Sequence, residues 1–220
     1  MRYSKDVSEL ISERRAEVVE MAFNIFAEKS IEATTMVDIA KACGFGVASV
    51  YRYFGTKSEL AVAAGTKKWR DYYEEIEKIY RKTGGEKMTA AEELEFYIDS
   101  YIRLYDRHKD LLKFNSNFDM FVIHENISAE IMKPYYDSVS KFADKFHTVC
   151  EKANEDKTVR VDIPEKELFY TVMYTMLTAA AKYAAGVIYP ADLSLNYKKS
   201  LLQLKAMLMS YYCGLKYENY

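Results

Sequence analysis

Residues that break helices are scarce in this chain, with three prolines and eight glycines in 220 positions. So few breakers leave little room for the frequent turns of a sandwich or barrel, and no run alternates apolar and polar residues with a period of two. Cysteine is scarce too. Cys43, Cys150 and Cys213 are odd in number, widely spaced and without a CxxC or a histidine at ligand spacing, so neither a disulfide framework nor a metal site is predicted. They read as thiols of a reducing compartment. His108, His124 and His147 are far apart in sequence and match no catalytic arrangement, and the chain holds no P-loop and no GxGxxG. No cofactor is predicted, and an enzyme is the weaker alternative.

Charge of one sign is lacking as well. The formal net charge is −2, which does not by itself point to nucleic acid. A long apolar leader is also missing, since the opening MRYSKDVSEL has no h-region and does not read as a signal peptide. Leu168 to Tyr189 is about as long as a bilayer span, but Lys182 sits in it among three threonines and four tyrosines. It reads as a buried helix, and the expectation is a cytoplasmic protein without a membrane partner.

What is abundant is apolar and aromatic. Half the residues are hydrophobic and twenty are tyrosine, enough for a full core in a chain of this length. The predicted class is all-α, with about nine helices.

The stretch from Thr34 to Leu60, TTMVDIAKACGFGVASVYRYFGTKSEL, organises the rest. Counted from Met36, small or apolar residues occupy positions 4, 5, 8, 15 and 18 (Ile39, Ala40, Cys43, Val50 and Tyr53), with Gly44 at position 9. That is the pattern of two short helices joined by a sharp turn. Ala40 must be small where the second helix crosses it, and Gly44 can take the positive φ that the turn requires. Thr35 is placed to cap the first helix. Gly46 begins the second, a weaker cap.

These residues resemble the DNA-binding module of the tetracycline-repressor (TetR) family of bacterial transcription regulators. The matching positions are the Thr-Thr pair before Ile39-Ala40, Gly44, the run Val50-Tyr51-Arg52-Tyr53-Phe54, and Lys57-Ser58-Glu59-Leu60. The motif-level likeness covers residues 9 to 60. The resemblance implies an N-terminal helix-turn-helix domain over 1–56 and a larger helical domain over 57–220 for ligand binding and dimerisation. It also implies double-stranded operator DNA as partner, a homodimer, and an unidentified small-molecule effector.

Within the motif, DNA binding needs phosphate contacts for grip and base contacts for choice. The resemblance assigns the first set to Thr35, Tyr51, Tyr53 and Lys57. Base reading falls to Val47, Ala48, Ser49 and Arg52 on the second helix, of which only Arg52 could make a bidentate guanine contact. Tyr53 also stands at an inward position of the pattern, so core packing and phosphate contact are both open to it. In residues 1 to 60 eight Lys and Arg face nine Asp and Glu, so positive charge must be gathered on one face. Arg2 and Lys5 in a flexible arm, with Arg52 and Lys57, are the expected contributors.

The remainder reads as helices in series. Apolar residues from Val18 to Phe26 recur at steps of three and four in a first helix spanning Glu9 to Lys29. Thr56-Lys57-Ser58-Glu59 and Thr89-Ala90-Ala91-Glu92 are capping boxes that start two more. Residues 111 to 133 show no clean period and are expected to hold one short helix and a loop. Pro134 should start or kink the next helix, and Pro164 should open another that Pro190 stops.

A ligand pocket is expected among Tyr97, Tyr101, Phe114, Phe118, Phe121, Tyr135, Phe142, Tyr170, Met173 and Tyr174, although aromatics at helical spacing also build plain core. Ala180, Ala184, Leu201, Leu204 and Leu208 on the last two helices are the expected dimer interface. Control by a protein partner, or by no effector, stays open as an alternative.

Overall fold

The computed structural model describes residues 2–186 and 196–214, with side chains from residue 8 onward. Among them are nine α-helices and no strand, an all-α fold: α1 Arg2–Lys29, α2 Met36–Cys43, α3 Val47–Tyr53, α4 Lys57–Lys82, α5 Ala90–Arg107, α6 Lys109–His124, α7 Ala129–Asp156, α8 Glu165–Ala185 and α9 Tyr197–Cys213. One 3-10 turn, Gly85–Lys87, separates α4 from α5.

Residues 111 to 133 and the start of α1 differ from expectation. Residues 111 to 133 do not fall into a short helix and a loop, because α6 runs for 16 residues. Phe114, Phe118 and Phe121 lie at i, i+4 and i+7, a helical stripe that the intervening Asn and Ser obscure, and all three are buried. Of the two alternatives at Pro134, a helix start there fails: α7 starts at Ala129 and contains the proline, at the loss of one backbone bond. The first helix also begins at Arg2 rather than Glu9. The side chains of Arg2 and Lys5 lie outside the described residues, as does the expected stop at Pro190.

The capping predictions correspond to observed bonds. Glu92 N–H donates to Thr89 Oγ1 at 3.3 Å and Thr89 N–H returns to the Glu92 carboxylate at 2.8 Å. At the start of α4, Glu59 N–H donates to Thr56 Oγ1 at 3.1 Å, but the Glu59 carboxylate accepts from Gly55 N–H at 2.9 Å. The reciprocal bond has moved one residue upstream.

The chain divides into two compact units. The first joins residues 1–70 to 113–138, and the second joins 71–112 to 139–220. In the first, Val18, Ala22, Phe23 and Phe26 of α1 are buried with Ile39, Ala40, Val50 and Leu60. Phe114 of α6 completes this core, its ring centroid 5.2 Å from Phe23 and 6.4 Å from Phe26. Gly65 of α4 leaves room for two rings, since a Cβ there would stand 3.0 Å from Phe114 of α6 and Tyr135 of α7. Trp69 Nε1 donates to the Tyr135 hydroxyl at 3.1 Å, and that hydroxyl donates to Asn115 Oδ1 at 2.9 Å, so the buried polar atoms beside this contact are satisfied.

In the second unit Leu94, Tyr97, Ile98 and Tyr101 of α5 are buried with Phe146 and Val149 of α7, Phe169 and Val172 of α8, and Leu201 and Met209 of α9. A polar cluster lies inside it. Glu93 is 1% exposed, and Lys152 reaches it as a charge contact rather than an aligned hydrogen bond. Lys152 also donates to the carbonyls of Gly85 and Met88, at 3.2 and 3.1 Å. Burial, reinforced by the Glu93 charge, pushes the Tyr80 and Tyr97 phenols well above their ordinary value and keeps both protonated.

Candidate nucleic-acid interface

Local chemistry builds the motif in three steps. Thr35 caps α2, accepting from Asp38 N–H at 3.2 Å while the Asp38 carboxylate accepts the Thr35 N–H at 2.9 Å and its hydroxyl at 2.6 Å. These bonds, the hydroxyl's first, draw the Asp38 carboxyl below its ordinary value. Gly44 then ends α2 at φ 68° and ψ 23°. Nothing lies within 4 Å of where its Cβ would be, so backbone conformation rather than space demands glycine there. Gly46 starts α3 without a side-chain cap, and the buried Ala40 and Val50 lock the two helices together.

The outer side of α3 is open to solvent. Ala48, Tyr51 and Arg52 are exposed and Val47 and Ser49 are half-buried, while Tyr51 keeps 49% of its surface in water. Tyr53 is half-buried, with the Arg52 guanidinium 5.6 Å from its ring centroid. Tyr53 also borders an open groove of about 600 Å³, together with Arg15, Phe54, Val62, Lys67 and Arg70.

Two of the predicted phosphate ligands are otherwise engaged. The Thr35 hydroxyl proton is committed to Asp38. Lys57 Nζ donates to the carbonyls of Ile31 at 2.9 Å, Thr34 at 3.1 Å and Glu32 at 3.4 Å, and sits 5.5 Å from the Phe121 ring centroid. It latches the connector between α1 and α2. No local pattern announces this, because the partners lie 23 to 26 residues away.

Sequence reasoning passed over two arginines of α1. The Arg14 guanidinium lies 5.9 Å from the centroid of Phe45, just before α3, and that of Arg15 lies 4.7 Å from Phe54, just after it.

The ten aromatic and Met residues predicted for a pocket fall in both compact units. Phe114, Phe118, Phe121 and Tyr135 belong to the first unit and the other six to the second. Seven are buried, and Tyr170 and Tyr174 are exposed. Of the predicted dimer residues, Ala180, Ala184, Leu201 and Leu208 are buried within the chain and Leu204 is half-buried. Beside them Tyr174, Met207 and Tyr211 are 62%, 67% and 58% exposed. His108 and His147 each meet a glutamate, Glu75 and Glu165, at 2.8 Å. Among the described residues there is no cluster of potential metal ligands and no helix long and apolar enough to cross a membrane.

Two short helices, an αL glycine turn and an exposed second helix packed on a longer first one define a helix-turn-helix protein. A sequence model of bacterial regulatory proteins of the tetR family matches residues 18–64, so this module is similar to the one that family shares. The HTH-type transcriptional repressor KstR2 of Mycobacterium tuberculosis is 40% identical over 50 residues, a stretch that is 23% of this chain and 25% of that repressor's length. KstR2 of Rhodococcus jostii is 24% identical over 177 residues, covering 80% of this chain and 82% of that protein. Among solved structures, the ketosteroid transcriptional regulator KstR2 of M. tuberculosis has a TM-score of 0.62 at 18% identity, with 91% of this chain and 95% of that one covered. AibR in complex with isovaleryl coenzyme A and operator DNA has a TM-score of 0.61 at 18% identity, with 89% and 98% covered. At such identity the structural likeness speaks for the fold.

Proposed function

We propose that the protein is a transcriptional regulator acting as a repressor, which binds palindromic operator DNA as a homodimer and is released by a small hydrophobic or aromatic effector. The observation that carries this is the exposed face of α3, presented by a left-handed glycine turn at the solvent surface of a packed module. A helix so presented can enter the major groove with its first turn against base edges. Val47 and Ala48 would meet thymine methyls, Ser49 would bond to bases of several kinds, and Arg52 would discriminate guanine. Tyr51 and Tyr53 would hold phosphates, and Thr35 and Lys57 would join them by exchanging a present partner. On this reading residues 1–56 serve DNA and 57–220 serve effector and dimer, in the cytoplasm and without catalysis.

The test is a binding-site enrichment from random duplexes, followed by titration of the recovered site. Arg52→Ala is expected to lose about 1–3 kcal/mol of discrimination at one base pair per half-site and to leave the thermal midpoint within a few degrees. Recovery of no duplex by the unaltered protein would sink the proposal.

Dimerisation suits the exposed side of α8 and α9, where Tyr174, Met207 and Tyr211 stand in water next to the buried Leu201 and Leu208. A two-fold pairing of that face would cover apolar surface that a monomer leaves wet. Tyr174→Glu with Met207→Glu is expected to yield monomers in sedimentation velocity and to weaken operator binding at least tenfold. A double variant that sediments with the unaltered protein would place the interface elsewhere. The effector reading draws on the AibR complex and on the aromatic interior of the second unit, and its action would be a population shift between two spacings of the paired modules.

A further inference from the structure

Residues 1 to 60 carry eight basic and nine acidic side chains, yet a DNA-binding surface needs unbalanced positive charge. Several of the acids are spent internally. Asp38 caps α2, Glu59 caps the start of α4, and Glu20 pairs with Lys67 and Lys68. The arrangement of α1 does the rest. At 100° per residue, Ile11, Arg14 and Arg15 continue the stripe of Val18, Val19, Ala22 and Phe26, whereas Glu9 and Glu13 fall on the opposite side. Ahead of Glu17, which stands near Cys43 of α2, the helix is basic toward the motif and acidic away from it.

The two arginines are also held in position. Arg14 lies over Phe45 and Arg15 over Phe54, at 5.9 and 4.7 Å, so their guanidiniums stand at the two ends of α3. Stacking of this kind orients the planar group while leaving its N–H donors free. Neither arginine has an ion-pair partner among the described residues, and both are exposed. Residues 8 to 17 are exposed on every side, Leu10 and Ile11 included. Nearly three turns of exposed helix are marginal in water and gain from a partner.

We infer that α1 is a third DNA-contacting element, in which Arg14 and Arg15 grip backbone phosphates flanking the major groove that α3 enters. This rests on the proposed function and adds the residues that supply its missing charge. Planar forks aimed at phosphate oxygens add grip and register without reading bases.

The experiment measures the salt dependence of binding to the enriched duplex for the unaltered protein, R14Q/R15Q, each single variant, R14K/R15K and E9Q/E13Q. Every lost phosphate contact lowers the slope of log K against log salt by about 0.9, so loss of one or two contacts per subunit of a dimer lowers it by about 1.8 or 3.6. R14Q/R15Q is expected to show such a fall with unchanged base preference, and R14K/R15K to keep the slope because the charge stays. E9Q/E13Q, altering the far side of the helix, is expected to leave the slope alone. A slope unchanged in R14Q/R15Q overturns the inference while the proposed function stands, and so does a slope that rises in E9Q/E13Q by as much as it falls in R14Q/R15Q. The single variants decide the matter if the double one fails to fold. An unaltered protein that recovers no duplex overturns both.

Discussion

Phe114→Ala is expected to destabilise the protein by about 3–5 kcal/mol, the range for emptying a fully buried phenylalanine site. The ring is shielded completely. It meets Phe23 and Phe118 at 5.2 Å and lies against the backbone of Gly65, so neighbours on α1, α4 and α6 all lose contact together. A glycine backbone and two other rings cannot collapse into the hole, which puts the cost toward the upper end. Equilibrium unfolding in urea measures it, and Phe114→Leu should regain most of the loss because volume is nearly kept. The variant should also weaken DNA binding, although residue 114 lies 54 positions beyond Leu60, the end of the motif stretch. A loss below about 1 kcal/mol would mean that the helix-turn-helix unit stands without α6.

Glu93→Ala is expected to cost about 3 kcal/mol, at the lower end of what breaking a buried ion pair costs because Lys152 keeps some water contact. The substitution strands Lys152 and removes the acceptor of the Tyr97 hydroxyl, 3.3 Å away. Replacing both partners distinguishes a stabilising pair from a merely satisfied one. Glu93→Leu with Lys152→Met should unfold within about 1 kcal/mol of the unaltered protein or above it, since no charge remains to be stranded. The carbonyls of Gly85 and Met88, which Lys152 holds, should then exchange partners with water and loosen the turn between α4 and α5. Amide exchange across Gly84–Thr89 reads this directly, and unchanged protection there would show that the lysine does not hold the turn.

The helix-turn-helix was legible in the sequence because each of its requirements is local. A cap three residues from its partner, a glycine in αL and a small residue at a crossing are all written within 27 consecutive positions. Thr89 and Glu92 were legible for the same reason. The stripe of Phe114, Phe118 and Phe121 was equally local, but the polar residues between its members hid it. Lys57 shows the opposite case. Its position suggested a phosphate ligand, and only the fold discloses the carbonyls of Ile31 and Thr34 that occupy it. Which aromatics would be core could not be read either, since a buried tyrosine such as Tyr101 and a wet one such as Tyr174 sit at similar helical spacing. Arg14 and Arg15 were hidden among equal numbers of acids, because a charge count carries no direction.

Gly65 gives the first unit a mechanical property. With no side chain between the α4 backbone and the rings of Phe114 and Tyr135, there is no rotamer to absorb a small displacement of α6. A push of a few tenths of an ångström on those rings must be taken up by the main chain of α4 itself, eight residues beyond Lys57 and its hold on the α1–α2 connector.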